Sequence, residues 1–433
     1  MKENVLSCLK ALEAQGFSCY AVGGCVRDAV LGLTPHDYDL CTSATPAQMK
    51  KIFSGYPLVL AGEKHGTVGV VTGGEVVEIT TYRTEGEYLD NRHPERVEFV
   101  DRVEEDLARR DFTVNAMAWS PIRGFADPFG GREDLKNRIL RAVGDPEARF
   151  REDSLRILRG VRFSVTYGLT PEPETEKAMF SLAGLMDNLA RERVFDELCK
   201  LIVRVTPEDL LRFAPVITAV IPELASTVGF DQRNPHHAYD VYAHTAQVVG
   251  AVAAELSLRW AALLHDVGKP ATFTLDEAGW GHFLGHAEKS AEMANGILLR
   301  LKAPTALRQR VVFLVERHMT PLEPDRKLLR RRLSRYGREP LEQLLVLQAA
   351  DHGAKGVAGD QYPAGEIGAV LSEILAENAC FSLKDLAVKG GDLMALGYAG
   401  PEIGRTLNRL LEMVVSEEVP NEKTALLNAA GEM

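Results

Sequence analysis

The stretch Cys19-Tyr20-Ala21-Val22-Gly23-Gly24-Cys25-Val26-Arg27-Asp28, with Asp37-Tyr38-Asp39 starting thirteen residues beyond the second glycine, decides how the N-terminal part of the chain reads. Residues 19–22 form a short apolar strand that runs straight into two glycines. Cys25 to Leu31 then read as a short helix, stopped by Gly32. Paired glycines let backbone N–H groups approach a phosphate, and a helix N-terminus beside them favours negative charge. His36 to Cys41 reads as the next strand, on which Asp37 and Asp39, two residues apart, share a face. Two like charges side by side are costly unless a cation lies between them, and Mg²⁺ is held by carboxylates together with substrate phosphates. The pattern describes a site that handles nucleotides.

Working outward, a chain of 433 residues is long enough for more than one domain and for substantial cores. Its net charge of −11 rules out a global basic signature for nucleic acid and leaves only a local stripe for such contact. The cysteines at 8, 19, 25, 41, 199 and 380 make no Cys-x-x-Cys pair and read as reduced, buried thiols of a cytosolic protein. Met1 to Leu12 reads as an amphipathic helix start rather than a secretory leader, and no apolar run reaches membrane-spanning length. A cytoplasmic protein without a membrane partner is expected.

Val68 to Val71, the turn Thr72-Gly73-Gly74 and Val76 to Tyr82 predict a β-hairpin. Beyond residue 146 strand signals fade and helical periodicity takes over. Breakers at Pro171 and Pro173, Pro222 and Asn234-Pro235 mark joints. The expected partition is a mixed α/β head over 1–145, a helical neck over 146–225, a helical module over 226–355 and a helical tail over 356–433.

Three further clusters accompany the first. Arg109-Arg110-Asp111-Phe112-Thr113-Val114-Asn115 would, if helical, put Asp111 and Asn115 on one face. Asp127-Pro128-Phe129-Gly130-Gly131 reads as a turn. In Glu152 to Phe163, Leu155, Leu158 and Val161 take core spacing, while Asp153, Arg156 and either Arg159 or Arg162 line another stripe. A carboxylate and a guanidinium are fixed planar acceptor and donor sets, suited to reading a base edge.

Gly-Gly-x-Val-Arg-Asp with Asp-x-Asp, Arg-Arg-Asp-Phe-Thr-x-Asn-Ala, and Glu-Asp-x-x-Arg with its following Arg-x-x-Arg resemble the class II tRNA nucleotidyltransferases, which are the CCA-adding enzymes and their poly(A) polymerase relatives. Glu192 to Lys200 is similar to that family's neck motif, and order and spacing agree over roughly residues 20–200. The resemblance implies an α+β fold, with a polymerase-β-like head followed by an all-helical C-terminal portion. By the same resemblance Gly24 and Arg27 hold the incoming triphosphate, Arg110 adds phosphate contacts, and Asp37 and Asp39 hold catalytic Mg²⁺. Asp153 and Arg156 template the base, with Arg159 and Arg162 close by. The implied reaction is attack of a tRNA 3′-hydroxyl on the α-phosphate of CTP or ATP, releasing pyrophosphate, with two metals assisting. Glu78 is a candidate third carboxylate. Tyr82 to Pro94, polar and turn-rich, resembles the family's flexible loop and argues against an enzyme that adds only CC.

After residue 235 comes a second pattern: His236, His237, His244, His265-Asp266, His286, His318 and Asp351. Imidazoles with carboxylates suit a divalent metal. The order resembles the HD phosphohydrolase superfamily, which implies ligand roles for His244, His265, Asp266 and Asp351, with His286 and His318 as further site residues. Phosphatase or phosphodiesterase chemistry is one implication, and a retained helical scaffold the other. The basic run Arg326 to Arg335 reads either as a solvated helix face or as a phosphate-backbone contact. The expected function is CCA addition. Poly(A) polymerase, an enzyme adding only the terminal A, and a hydrolase using the head to dock RNA are the alternatives.

Overall fold

The computed structural model describes residues 1–35, 37–85, 97–235, 237–356, 362–377 and 380–433. The chain divides into two units. One comprises Met1–Val205 with Arg212–Pro222, and the other Thr206–Leu211 with Glu223–Met433. The chain therefore enters the second unit, returns to the first, and leaves it again. The expected neck, 146–225, lies largely in the first unit.

The first unit is built on a seven-stranded sheet. Its strands include β1 (Cys19–Val22), β2 (Asp39–Thr42), β3 (Leu58–Val59), β4 (Thr67–Thr72) and β5 (Glu75–Thr81). They lie in the order β3-β4-β5-β2-β1, continued by Ala118–Ser120 and Gly124–Ala126. β4 and β5 form the expected hairpin, and β2 pairs with β5 in parallel, which sets Asp39 beside Glu78. The N-terminal helix Glu3–Ala14 buries Val5, Leu9 and Leu12, spaced one helical turn apart. At about 2 kcal/mol per buried aliphatic side chain, this apolar stripe ties the helix to its neighbours. Another core forms from Val22, Cys41, Tyr82, Leu107 and Ala118.

Three expectations about this unit need correction. β2 begins at Asp39, so Asp37 precedes the strand and strand alternation does not orient it. Residues 111–115 are not an α-helix. Thr113 donates to Arg141 O and Val143 donates to Asp111 O, and this pairing draws the segment into extended backbone before the 3₁₀ turn Thr113–Asn115. Tyr82, expected in a polar loop, is fully buried, with its hydroxyl 3.0 Å from that of Ser18. From residue 86 to Pro94 that stretch lies outside the described residues, as does His36.

The helix Leu155–Tyr167 carries the expected polar stripe. Its N-terminal end is held by Asp153, whose Oδ1 accepts from Leu155 N at 3.1 Å. Its C-terminal end closes at Gly168, whose φ of +60° is the left-handed cap that glycine adopts without strain. Helix Arg191–Ile202 packs against it.

Among its described residues the second unit is helical apart from a short ladder, Thr274–Leu275 with Gly281–His282. Helices Val241–Ala251, Leu256–Leu264, His286–Arg300, Thr305–Arg317 and Arg338–Gly353 enclose Trp260, Leu264, Ile297, Leu314 and Leu344, all fully buried. Cys380, Leu386, Val388, Leu393, Leu410, Val414 and Leu426 form a separate C-terminal core. Among the described residues no helix is long and apolar enough to cross a membrane.

Candidate active site and histidine cluster

Gly23 closes β1 with φ +71°, and a Cβ there would lie 2.9 Å from Arg110 Nη1. The positive φ favours glycine, and any side chain here would have to displace the Arg110 guanidinium. The helix Gly24–Val30 starts beside it. A cleft of about 450 Å³ opens here, lined by Gly23, Gly24, Arg27, Asp39, Arg110, Asp153, Arg156, Arg159 and Arg162. The structure thus brings every expected nucleotide-binding residue to one place. Asp39 also borders an adjoining cavity with Asp37 and Glu78. Although Asp39 is solvent-accessible, crowding around its carboxylate raises its pKa. Arg110 opposes that rise and Asp37 adds to it. Carboxylates that repel across an open cavity fit a divalent cation, with Glu78 in register beside them.

Reciprocal pairing holds the cleft's arginines in place. Arg159 donates to Asp111 Oδ2 through Nη2 at 2.6 Å and Nε at 2.9 Å, and Asn115 donates to Asp111 Oδ1 at 3.1 Å. Burial resists ionisation of Asp111, yet Arg159 and Asn115 hold its pKa at about 2. Arg27 Nη1 donates to Asn115 Oδ1 at 2.6 Å. Arg156 donates to Glu152 Oε2 at 2.6 Å and to the carbonyls of Arg149 and Arg109 at 3.1 and 3.0 Å. Arg193 donates to Asp153 Oδ2 at 3.0 Å, and Arg162 Nε to Glu197 Oε2 at 2.5 Å. Arg109, Asn115, Phe163 and Arg193 also line the cleft. All four fall inside stretches quoted from the sequence, but only Asn115, four residues after Asp111, had a spacing that pointed to it.

The histidine cluster is built differently. His244, His265 and His318 are almost fully buried, as is Asp266, and His286 and Asp351 are each 8% exposed. The Nδ1 atoms of His265, His286 and His318 lie 2.8, 2.7 and 2.7 Å from the carbonyls of Ala262, Phe283 and Val315. That contact makes Nδ1 the protonated nitrogen and leaves Nε2 as a lone-pair donor facing inward. His265 Nε2 lies 3.2 Å from Asp266 Oδ2, while His286 Nε2 lies 3.5 Å from Oδ1. His244 Nε2 sits 2.9 Å from Asp351 Oδ1.

Two ligand trios result, His244-His265-Asp266 and Asp266-His286-His318, with Asp266 common to both. Asp351 adds a carboxylate beside the first. His265 Nε2 and Asp266 Oδ2 are buried without a hydrogen-bond partner among the described residues. Lys269 Nζ, 2.8 Å from that oxygen, supplies charge alone. Buried orphaned acceptors of this kind fit a metal. Burial lowers His318 to about 4 and keeps it neutral, as a ligand must be. His237 lies against His244, with ring centroids 5.7 Å apart, outside either trio. His236 lies outside the described residues.

The basic run is split. Arg330 is buried and donates to the carbonyls of Val415 and Val414 at 3.0 and 3.1 Å, and Arg326 pairs with Glu417 and Glu377. Arg331 and Arg335 instead line an open cavity of about 660 Å³ with Arg409.

The sheet and its cleft define a nucleotidyltransferase with a polymerase-type head, and comparison with known proteins agrees. Residues 19–141 match the Poly A polymerase head domain family, 168–226 the "Probable RNA and SrmB-binding site of polymerase A" family, and 271–430 the tRNA nucleotidyltransferase domain 2 family. The CCA-adding enzyme of Streptococcus mutans is 34% identical over 428 residues, covering 98% of this chain and 96% of that protein. That of Lactiplantibacillus plantarum is 33% identical over 439 residues, covering 98% and 94%. The crystal structure of the Bacillus stearothermophilus CCA-adding enzyme in complex with CTP superposes with a TM-score of 0.74 at 29% identity, covering 100% of this chain and 98% of that one. The chain belongs to the CCA-adding enzyme family of nucleotidyltransferases. Divalent metal use comes with that membership.

Proposed function

We propose that this chain adds C, C and A to the 3′ end of tRNA from CTP and ATP without a nucleic-acid template. The observation that carries the reading is the convergence of Gly23-Gly24, Arg27, Arg110 and Asp39 with Asp153 and Arg156 in one cleft. In this reading Gly24 and Arg27 receive the triphosphate, and Arg110 adds charge beside Gly23. Asp37 and Asp39 hold Mg²⁺, which when bound lowers the pKa of the attacking 3′-hydroxyl and offsets charge on the leaving pyrophosphate. Asp153 offers acceptors and Arg156 donors to the base edge. Their pairing with Arg193 and Glu152 fixes the geometry in which a base is read.

The test is nucleotide addition to tRNA lacking its 3′ end, with Mg²⁺ and CTP, ATP or both. Growth by three nucleotides requiring both triphosphates is expected. Long tails from ATP alone would make the chain a poly(A) polymerase, and a single A added only after CC would make it one half of a split pathway.

A second reading, favoured by the orphaned His265 Nε2 and Asp266 Oδ2, is metal-dependent phosphoester hydrolysis at the histidine cluster. His244, His265, Asp266 and Asp351 hold one ion, and His286 and His318 share Asp266 in holding another. A bound ion supplies an activated water and a charge for the ester oxygens. Asp37→Ala should abolish addition and spare hydrolysis of bis-p-nitrophenyl phosphate, and His265→Ala should do the reverse. Loss of both activities in either variant would sink the two-site division. Hydrolysis without addition would make the head an RNA-docking module.

A further inference from the structure

Arg27 is 5% exposed, so each of its five N–H groups needs a partner or a ligand. Nε and Nη2 donate to Asp28 Oδ1 at 3.0 and 2.8 Å, Nη1 donates to Asn115, and Nη2 also donates to the hydroxyl of Tyr167. One Nη1 hydrogen is left over for the cleft. The guanidinium carbon stands 4.0 Å from the centre of the Tyr167 ring, and the Phe163 ring lies 5.3 Å away. Stacking fixes the plane of the guanidinium and the hydroxyl fixes its rotation within that plane.

Tyr167 is the last residue of the helix Leu155–Tyr167, whose other end is anchored by Asp153. From the middle of the same helix, Arg159 holds Asp111, which accepts from Asn115, which in turn accepts from Arg27. Arg27 is therefore gripped twice by one helix.

We infer that Tyr167 is a positioning residue for nucleotide addition, aiming the Arg27 guanidinium at the incoming triphosphate. The inference rests on reading Arg27 as a triphosphate contact. Because triphosphates are common to both substrates, Tyr167 acts on CTP and ATP alike and leaves the choice between them to Asp153 and Arg156. A residue that only filled the core would lower the fraction of active protein and would not shift nucleotide affinity.

The experiment is steady-state addition of C and of A to tRNA acceptors by Tyr167→Leu, Tyr167→Phe and Arg27→Ala, with thermal unfolding of each. Tyr167→Leu removes ring and hydroxyl and should raise KM for CTP and ATP equally, about tenfold, with kcat within about twofold. Tyr167→Phe keeps the ring and should raise both by about threefold. KM for tRNA stays unchanged. A fall in kcat without a KM change, or a KM change for one nucleotide only, overturns the inference. If Tyr167→Leu fails to fold, the Phe variant decides: a threefold rise supports the inference and none overturns it. Should Arg27→Ala leave nucleotide KM unaltered, the triphosphate reading itself falls. Should Arg27→Ala raise KM while neither Tyr167 variant does, that reading stands and the inference is lost.

Discussion

The cleft of the first unit and the histidine cluster of the second are both dense in ionisable groups, yet they satisfy those groups in opposite ways. In the cleft nearly every guanidinium is matched to a carboxylate or carbonyl of the protein, as in Arg159 with Asp111 and Arg193 with Asp153. Such a site is largely formed before any ligand arrives, with Arg110 Nε and Arg193 Nη1 the buried cleft nitrogens that lack a hydrogen-bond partner among the described residues. The cluster instead buries lone-pair donors against one another, with His286 Nε2 3.2 Å from His318 Nε2. Rings whose Nδ1 atoms already lie against backbone carbonyls leave facing Nε2 acceptors unmet at that distance, and such an arrangement costs stability until a cation fills it. A preorganised reader suits a substrate that comes and goes, whereas a frustrated cage suits an ion that stays.

The sharpest way to break this contrast is Asp39→Ala. Nucleotide addition should fall by about a thousandfold or more, while transition-metal content measured by plasma mass spectrometry stays unchanged. Loss of bound metal in that variant would mean the two sites are not separate. Next in size, saturating divalent metal should stabilise the wild type by about 2.7 kcal/mol at a hundred times its Kd, read as a rise in Tm. In His265→Ala that rise should disappear, and a cluster that ignores metal in the wild type would remove the cage from the comparison.

Asp111→Asn should lower stability by about 2 kcal/mol near neutral pH in chemical denaturation. The folded pKa of Asp111 is depressed from 3.8 to about 2, so its contribution is complete above pH 4 and lost as pH falls towards 2. The gap between wild type and variant should therefore close across that window. The smallest effect sits in the basic run, where the same contrast recurs. Arg331→Ala should change stability by less than about 0.5 kcal/mol, whereas Arg330→Ala, which removes two buried hydrogen bonds to the carbonyls of Val414 and Val415, should cost about 2 kcal/mol. Equal losses would show that both arginines are structural.

Most of the membership of both clusters was legible in the sequence, because short-range order carries it: a glycine pair after a strand, a polar stripe on one helix, an adjacent His and Asp ending another. What holds those residues was not. Arg193 finds Asp153 across forty positions, and Arg27 reaches Asn115 across eighty-eight. No local periodicity encodes such choices. The segment 111–115 failed as a helix for a related reason. Its backbone donors and acceptors were taken by residues 141–143, an outcome that only the closed fold decides. Tyr82 read both as the end of the hairpin strand and as the start of a polar loop, and its N–H donating to Thr42 O while its carbonyl accepts from Val100 N places it in the core. Asp37 and Asp39 do meet a common cavity, though not by the strand alternation that first suggested it.

The double crossing of the chain between the two units, with Thr206–Leu211 on one side and Arg212–Pro222 on the other, has a consequence for inheritance. A gene cut once at any point in that region leaves some residues attached to the wrong half. Shuffling either unit into another protein by a single recombination event would strip it of a segment it needs. The two units, once joined in this manner, are expected to travel through descent as one piece.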